Sequence, residues 1–288
     1  MSRIDNNNNN FKTAFFTTAG AITGWEAEPY IKRVLSYPIK RYKDKIDPSI
    51  YGGGFEHYAS IAIDKNNLNG KLKLLNLNET TKNAVAQELH INLNKPVSKF
   101  EKFLNHILRR NSHIKDSFMR TLEGKNAFFV PSKNTIVCNF DKFGSAAFHE
   151  IAHKLNSQSS NVLLRFLSEI RGPMALLAPV ISLVAMTTSP KSDDHLYKGW
   201  DDYIKDNCGW LATVSVLPLT IEECIANVRG TKIAKQAGVT GKNLEKVIKA
   251  HKLSALGYCS SAILTGLSVY LASKLRDVIS AQGKKNKD

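Results

Sequence analysis

The pattern of apolar and polar positions along this 288-residue chain changes twice. In the first third the apolar residues recur at helical spacing. Thr80 to His90 and Val97 to Leu122 read as helices, and Phe100, Phe103, Leu104, Ile107 and Leu108 share one face of the second. That stripe is expected in a core, with His106 and His113 beside it as ordinary surface or core residues. From Asn126 the helical spacing gives way to short β-rich runs. Ala127 to Val130 and Thr135 to Phe140 flank Pro131, Ser132, Lys133 and Asn134, the residues of a turn, and together predict a hairpin. Asp141 or Ser145 can then cap a helix carrying Ala146, Ala147, Phe148, Ile151, Ala152 and Leu155.

The second half is different in kind. Gly172 to Pro190, Asn207 to Ile221 and Leu253 to Ser273 are apolar and free of charge. A helix needs roughly 20 apolar residues to cross ~30 Å of hydrocarbon, so the first and third are long enough and the second is short. The third carries small residues four apart, Gly257/Ser261 and Ala262/Gly266, which allow close helix packing in lipid. Between the first two segments lie Asp193, Asp194, Asp201, Asp202 and Asp206 against three lysines, whereas Met1 to Arg171 and Arg229 to Lys252 are lysine-rich. The positive-inside bias then places the lysine-rich parts in the cytoplasm and the acidic loop outside. Lys284, Lys285 and Lys287 of the tail run against that bias if all three segments span.

Composition narrows the classes. Apolar residues make up 43% of the chain and charged residues 23%, which fits a globular core and excludes wholesale disorder. The asparagine run within Met1 to Asn10 reads as disordered. Phe11 to Trp25 reads as a surface-lying or core helix rather than a signal peptide, because the leader before it is polar and carries Asp5 as well as Arg3. Lys32, Arg33, Lys40, Arg41, Lys43 and Lys45 form either a solvated face or a contact with acidic headgroups. Tyr51 to Gly54 is a turn or linker. The net charge of +15 admits nucleic acid or an anionic membrane as neighbour. The lysines are dispersed and no nucleic-acid-reading motif is present, so no nucleic acid is expected. Cys138, Cys208, Cys224 and Cys259 form no CxxC pair, and a reducing, cytosol-facing location is the simpler reading.

Chemistry enters at His149-Glu150-Ile151-Ala152-His153, an HExxH sequence. Histidines at i and i+4 lie one turn apart on one helix face, where each can offer a ring nitrogen to one Zn²⁺. Glu150, on the same helix, is the candidate general base that orients the attacking water and takes its proton. A catalytic zinc takes three protein ligands and keeps one position open. Asn156 and Ser159 stand where a metzincin would have its glycine-and-histidine extension, so a carboxylate is expected as the third ligand. Glu222-Glu223-Cys224-Ile225-Ala226-Asn227 follows the second apolar segment and supplies it: Glu223 is the candidate ligand and Glu222 the fallback. Asn227, one turn on, is placed to support the site from behind. His251 and Tyr258 lie downstream as possible oxyanion donors, each more simply an interface residue.

The order Asn126-Ala-Phe-Phe-Val-Pro131, Thr135-Ile-Val-Cys138, HEIAH, apolar segments and Glu223-Cys-Ile-Ala-Asn227 resembles the HtpX-like membrane metallopeptidases, the family that includes the CAAX prenyl endopeptidases. The resemblance covers about Asn126 to Ala237. It implies a zincin-like, gluzincin fold with Zn²⁺ held by His149, His153 and Glu223, Glu150 as base, and proteolysis at or near a membrane. Asn126, Ala127 and Phe128 then belong to the strand that pairs with substrate. Two positions depart from the family pattern: Asn227 replaces its aspartate, and Ser132-Lys133 its glycine-rich turn. Glu223 to Asn227 also resembles the ExxAN of the ImmA/IrrE-like peptidases, which keep the two motifs much closer together.

The expectation is therefore a mainly α protein with a small β-hairpin, a gluzincin peptidase domain and transmembrane helices. It divides into an N-terminal region (1–60), a helical region with the hairpin and HExxH helix (61–171), two membrane segments (172–221), the third-ligand region (222–252), a transmembrane helix (253–273) and a basic tail (274–288). The expected function is a zinc-dependent, membrane-integral endopeptidase with a cytoplasmic active site, acting on a protein or peptide beside a lipid bilayer. The alternatives are an inactive zinc-binding membrane scaffold and an ImmA/IrrE-like peptidase.

Overall fold

The computed structural model describes residues 2–45, 50, 54–94, 114–188 and 199–285. The Phe100 to Leu108 stripe, His106, His113, most of the Tyr51–Gly54 turn, residues 189–198 of the acidic loop and Lys287 lie outside them. The chain is mainly helical. In order its elements are α1 (Ser2–Asp44), α2 (Glu56–Lys65), β1 (Lys73–Asn76), α3 (Lys82–Glu88), α4 (Ile114–Leu122), β2 (Phe128–Val130), β3 (Thr135–Cys138), α5 (Phe140–Phe143), α6 (Ala146–Ser157), α7 (Val162–Ala175), α8 (Leu177–Thr187), α9 (Trp200–Asp206), α10 (Cys208–Gln236) and α11 (Gly241–Lys285). They form two compact units. One comprises Met1–Arg41, Arg171–Leu219 and Cys259–Asp288; the other comprises Tyr42–Ile170 and Thr220–Tyr258.

Among the described residues, the regular structure of the first unit is all helix. The asparagine run lies within α1 rather than outside regular structure, and Phe11 to Trp25 continues the same helix. Gly24 lets α1 approach its neighbours: a Cβ there would sit 2.6 Å from Met186 Sδ of α8 and 3.0 Å from the Ala272 carbonyl of α11. Gly266 of α11 meets Gly209 and Thr213 of α10 in a crossing too tight for any side chain. Buried charges here are each given partners. Ser182 and Ser268 hydroxyls lie 3.4 Å from the two carboxylate oxygens of buried Glu28. Arg276 donates to the Met186 carbonyl at 3.0 Å, and Lys205 pairs with Asp277 at 2.6 Å.

Three helical stretches, Val162–Thr187, Cys208–Gln236 and Gly241–Ala281, are long and apolar enough to cross a membrane. Most of each apolar window faces outward, with Leu177, Val180 and Leu183 on α8 and Ile263, Leu267 and Leu271 on α11 exposed. The segment Asn207 to Ile221, short on its own, is the first half of a continuous 29-residue helix. The helix continues past the end of the apolar run at Ile221 and through Glu222 and Glu223 without a break.

The second unit is built on a three-stranded sheet of order β1-β3-β2. The predicted hairpin is present: β2 runs antiparallel to β3 with Phe129 opposite Ile136. A single 3-10 turn, Pro131–Lys133, closes it, and Asn134 follows in the left-handed conformation that asparagine tolerates. A further strand, β1, joins the hairpin and pairs parallel to β3 with Leu74 opposite Ile136. The strand alternation puts two cores on the two sheet faces. Ile136, Cys138, Leu74 and Phe129 pack with α2, α6, α10 and α11; Val137, Val130, Leu75 and Phe128 pack with α3 and α4. The edge strand starts later than expected. Phe128 is its first residue, while Asn126 and Ala127 precede it as irregular chain with Ala127 buried in the core.

α6 begins directly after Ser145, but the Ser145 side chain does not cap it. The cap in this region is one element earlier, where the Asn139 side chain accepts from the Lys142 amide of α5. The four cysteines form no disulfide among the described residues.

Candidate metal centre

Every residue of the candidate centre belongs to the second unit. α6 buries the face that carries Phe148, Ile151 and Ala152 in the sheet-side core. The helical period then turns His149 and His153 toward α10, where both are buried. α10 can come this close because residue 230 is glycine. A Cβ there would lie 3.0 Å from the Phe148 carbonyl and 3.1 Å from the His149 amide nitrogen. Gly230 thus sets the spacing of the two ligand-bearing helices, and the sequence pattern alone did not single it out.

His149, His153 and Glu223 form a buried group that could hold a metal ion. His149 Nε2 lies 2.8 Å from His153 Nε2 and 3.0 Å from Glu223 Oε2. His153 Nε2 lies 3.4 Å from the same carboxylate oxygen. A tetrahedral ion with bonds of ~2.0–2.1 Å holds its ligand atoms about 3.3 Å apart, close to this triangle.

The outer hydrogen bonds fix which atoms face inward. The Asn227 amide nitrogen donates to the Glu223 backbone carbonyl at 2.8 Å, which leaves its Oδ1 to accept from His149 Nδ1 at 3.1 Å. Glu222 Oε1 accepts from His153 Nδ1 at 2.9 Å. With both Nδ1 atoms donating outward, each neutral imidazole turns an Nε2 lone pair inward, against the other and against a carboxylate. Three electron pairs converging in a buried space are stabilised by a proton or a metal cation among them. This is the donor set a zinc ion takes.

Glu222 stands outside the His149, His153 and Glu223 group, on the Nδ1 side of His153. It is fully buried and also accepts from Asn156 Nδ2 at 3.1 Å, with the Ser168 hydroxyl at 3.5 Å. Asn156 in turn accepts from Arg229 at 2.8 Å. The sequence presents Glu222 only as a substitute ligand, and Asn156, Ser168 and Arg229 carry no pattern that a sequence alone would flag.

Burial by itself lowers the His153 pKa, but hydrogen bonds to Glu222 and Glu223 outweigh it and raise it to about 10. Burial, with the Glu150 charge adding to it, pushes the Cys138 thiol up as well. Glu150 is half-buried on α6. The His251 ring centre lies 6.2 Å from that of His149. Its Nδ1 meets the Thr231 hydroxyl at 2.8 Å and its Nε2 the Ser145 carbonyl at 3.3 Å, so both nitrogens are held within the packing.

Comparison with protein-family models, curated proteins and solved structures returns no match, so the reading of this centre rests on its own geometry.

Proposed function

We propose that the chain is a zinc-dependent, membrane-integral endopeptidase of the gluzincin type. The observation that carries this reading is the convergence of His149 Nε2, His153 Nε2 and Glu223 Oε2 within 2.8–3.4 Å of one another in a buried space. Zinc held there by His149, His153 and Glu223 would supply Lewis acidity toward a peptide carbonyl and toward water. The protein's own groups supply the rest. Glu150 orients the attacking water, takes its proton and delivers it to the leaving amide nitrogen, so that a neutral amine departs. Glu222 and Asn227 accept the Nδ1 protons of the two histidines and keep each Nε2 turned inward. Among the described residues β2 is an edge strand, and pairing of its outer edge with an extended substrate backbone would align the scissile bond.

The membrane part of the proposal is supported by three long apolar helical stretches whose windows face mostly outward. Apolar surface on that scale is stable in hydrocarbon and costly in water. The lysine-rich flanks favour a cytoplasmic active site. The test is Glu150→Gln in the full chain, assayed with zinc against a peptide library. Proteolysis should fall by about 10²–10⁴-fold while bound metal is retained. Undiminished cleavage would contradict the proposed mechanism.

A second reading, a zinc-binding scaffold that cuts nothing, is favoured by Asn227. An amide supports His149 without the negative charge an aspartate would bring. That reading predicts full metal occupancy and no cleavage of any library member by the unaltered chain.

A further inference from the structure

The second unit contains an open cleft of about 730 Å³ in which four lysines meet: Lys71, Lys73, Lys133 and Lys154. They come from three places in the chain that the sheet brings together. Lys71 and Lys73 lead into and begin β1, and Lys73 stands opposite Thr135 in the parallel pairing. Lys133 closes the turn between β2 and β3. Lys154 follows His153 on α6, its Cα one peptide, about 3.8 Å, from that of a proposed ligand. Three of the four ammonium groups are held in place. Lys154 donates to Asn134 at 2.7 Å and Lys133 donates to the Glu88 carbonyl. Lys73 pairs with the Glu88 carboxylate at 2.6 Å, which offsets one of the four charges. A concave surface with a net positive charge of this size attracts and orients anions.

We infer that this cleft binds carboxylate side chains of the polypeptide substrate, and so selects acidic sequence near the bond that is cut. The inference rests on the peptidase reading for the word substrate, and on the cleft alone for the binding. Two observations favour a polypeptide over a lipid headgroup. The Lys154 ammonium lies 5.6 Å from the ring centre of Phe129 of β2, so one lysine of the cleft reaches the strand proposed to pair with substrate. No lining residue comes from Val162–Thr187, Cys208–Gln236 or Gly241–Ala281, the stretches apolar enough to enter a membrane.

The test uses the full chain in detergent, carrying Glu150→Gln so that the probe survives, and fluorescein-labelled hexaglutamate as that probe. Binding is followed by anisotropy. Two variants reverse the same number of charges: Lys71→Glu with Lys133→Glu in the cleft, and Lys242→Glu with Lys249→Glu on α11 as the control. The cleft pair should weaken binding by about tenfold or more, and the control pair by less than about threefold. Equal loss in both pairs, or loss in neither, overturns the inference. So does a cleft pair that weakens binding to phosphatidylserine vesicles while leaving hexaglutamate binding intact. If the cleft pair fails to fold, Lys71→Glu alone carries the test with an expected loss of about threefold. The probe is never cut, so a chain without peptidase activity can still bind it at the cleft. An active peptidase that ignores the cleft variants would refute this inference and leave the proposed activity standing.

Discussion

His153 concentrates the electrostatics of the centre. Its pKa is raised to about 10 in the metal-free protein, so it is protonated at neutral pH and a metal ion must displace that proton. Apparent metal affinity should therefore climb with pH, by up to about tenfold per unit between 7 and 9, in a competition titration. The stability of the metal-free chain has the opposite sign. A raised folded pKa contributes stability that is complete below the ordinary histidine value near ~6.5 and is lost as pH rises through about 10. Glu222 is the other decisive side chain. Glu222→Gln should weaken metal binding by about 10–100-fold while the chain still folds, read by metal titration beside thermal melting. A result equal to the unaltered protein would remove Glu222 from the centre.

At the level of elements, what the sequence revealed depended on how local the cause was. The hairpin was legible because Pro131 to Asn134 is a turn by composition and Thr135 to Cys138 is β-rich. The HExxH helix was legible because its apolar period and its histidines share one 12-residue segment. β1 was not recognised, although Leu72, Leu74 or Leu75, and Leu77 among Lys71, Lys73, Asn76 and Asn78 carry a strand-like alternation. Its pairing is parallel to a strand some 60 positions away, which no local turn announces. α10 was divided into an apolar segment and a carboxylate motif because the composition changes along it, yet the backbone is one helix. Gly230 shows what close packing adds. Gly230→Val should push α10 from α6 and cost about 1–3 kcal/mol, with metal affinity falling alongside the melting temperature. Unchanged melting and metal binding would mean the two helices have room that the backbone distances deny.

At the level of the molecule, the chain joins two kinds of solvent requirement. One unit has a sheet with a buried core on each face and holds the candidate centre; the other is a set of helices with outward apolar surface. The membrane reading predicts that the full chain stays with the bilayer through alkaline extraction and leaves only with detergent. Release by alkali alone would count against spanning helices. The central claim is the metal centre, and the most direct measurement of it is metal content in the full chain purified in detergent, beside Glu223→Ala. The account predicts one zinc per chain, with occupancy in Glu223→Ala reduced by at least about tenfold at equal free zinc. A folded chain that binds no zinc, or one whose zinc is indifferent to Glu223→Ala, would contradict it.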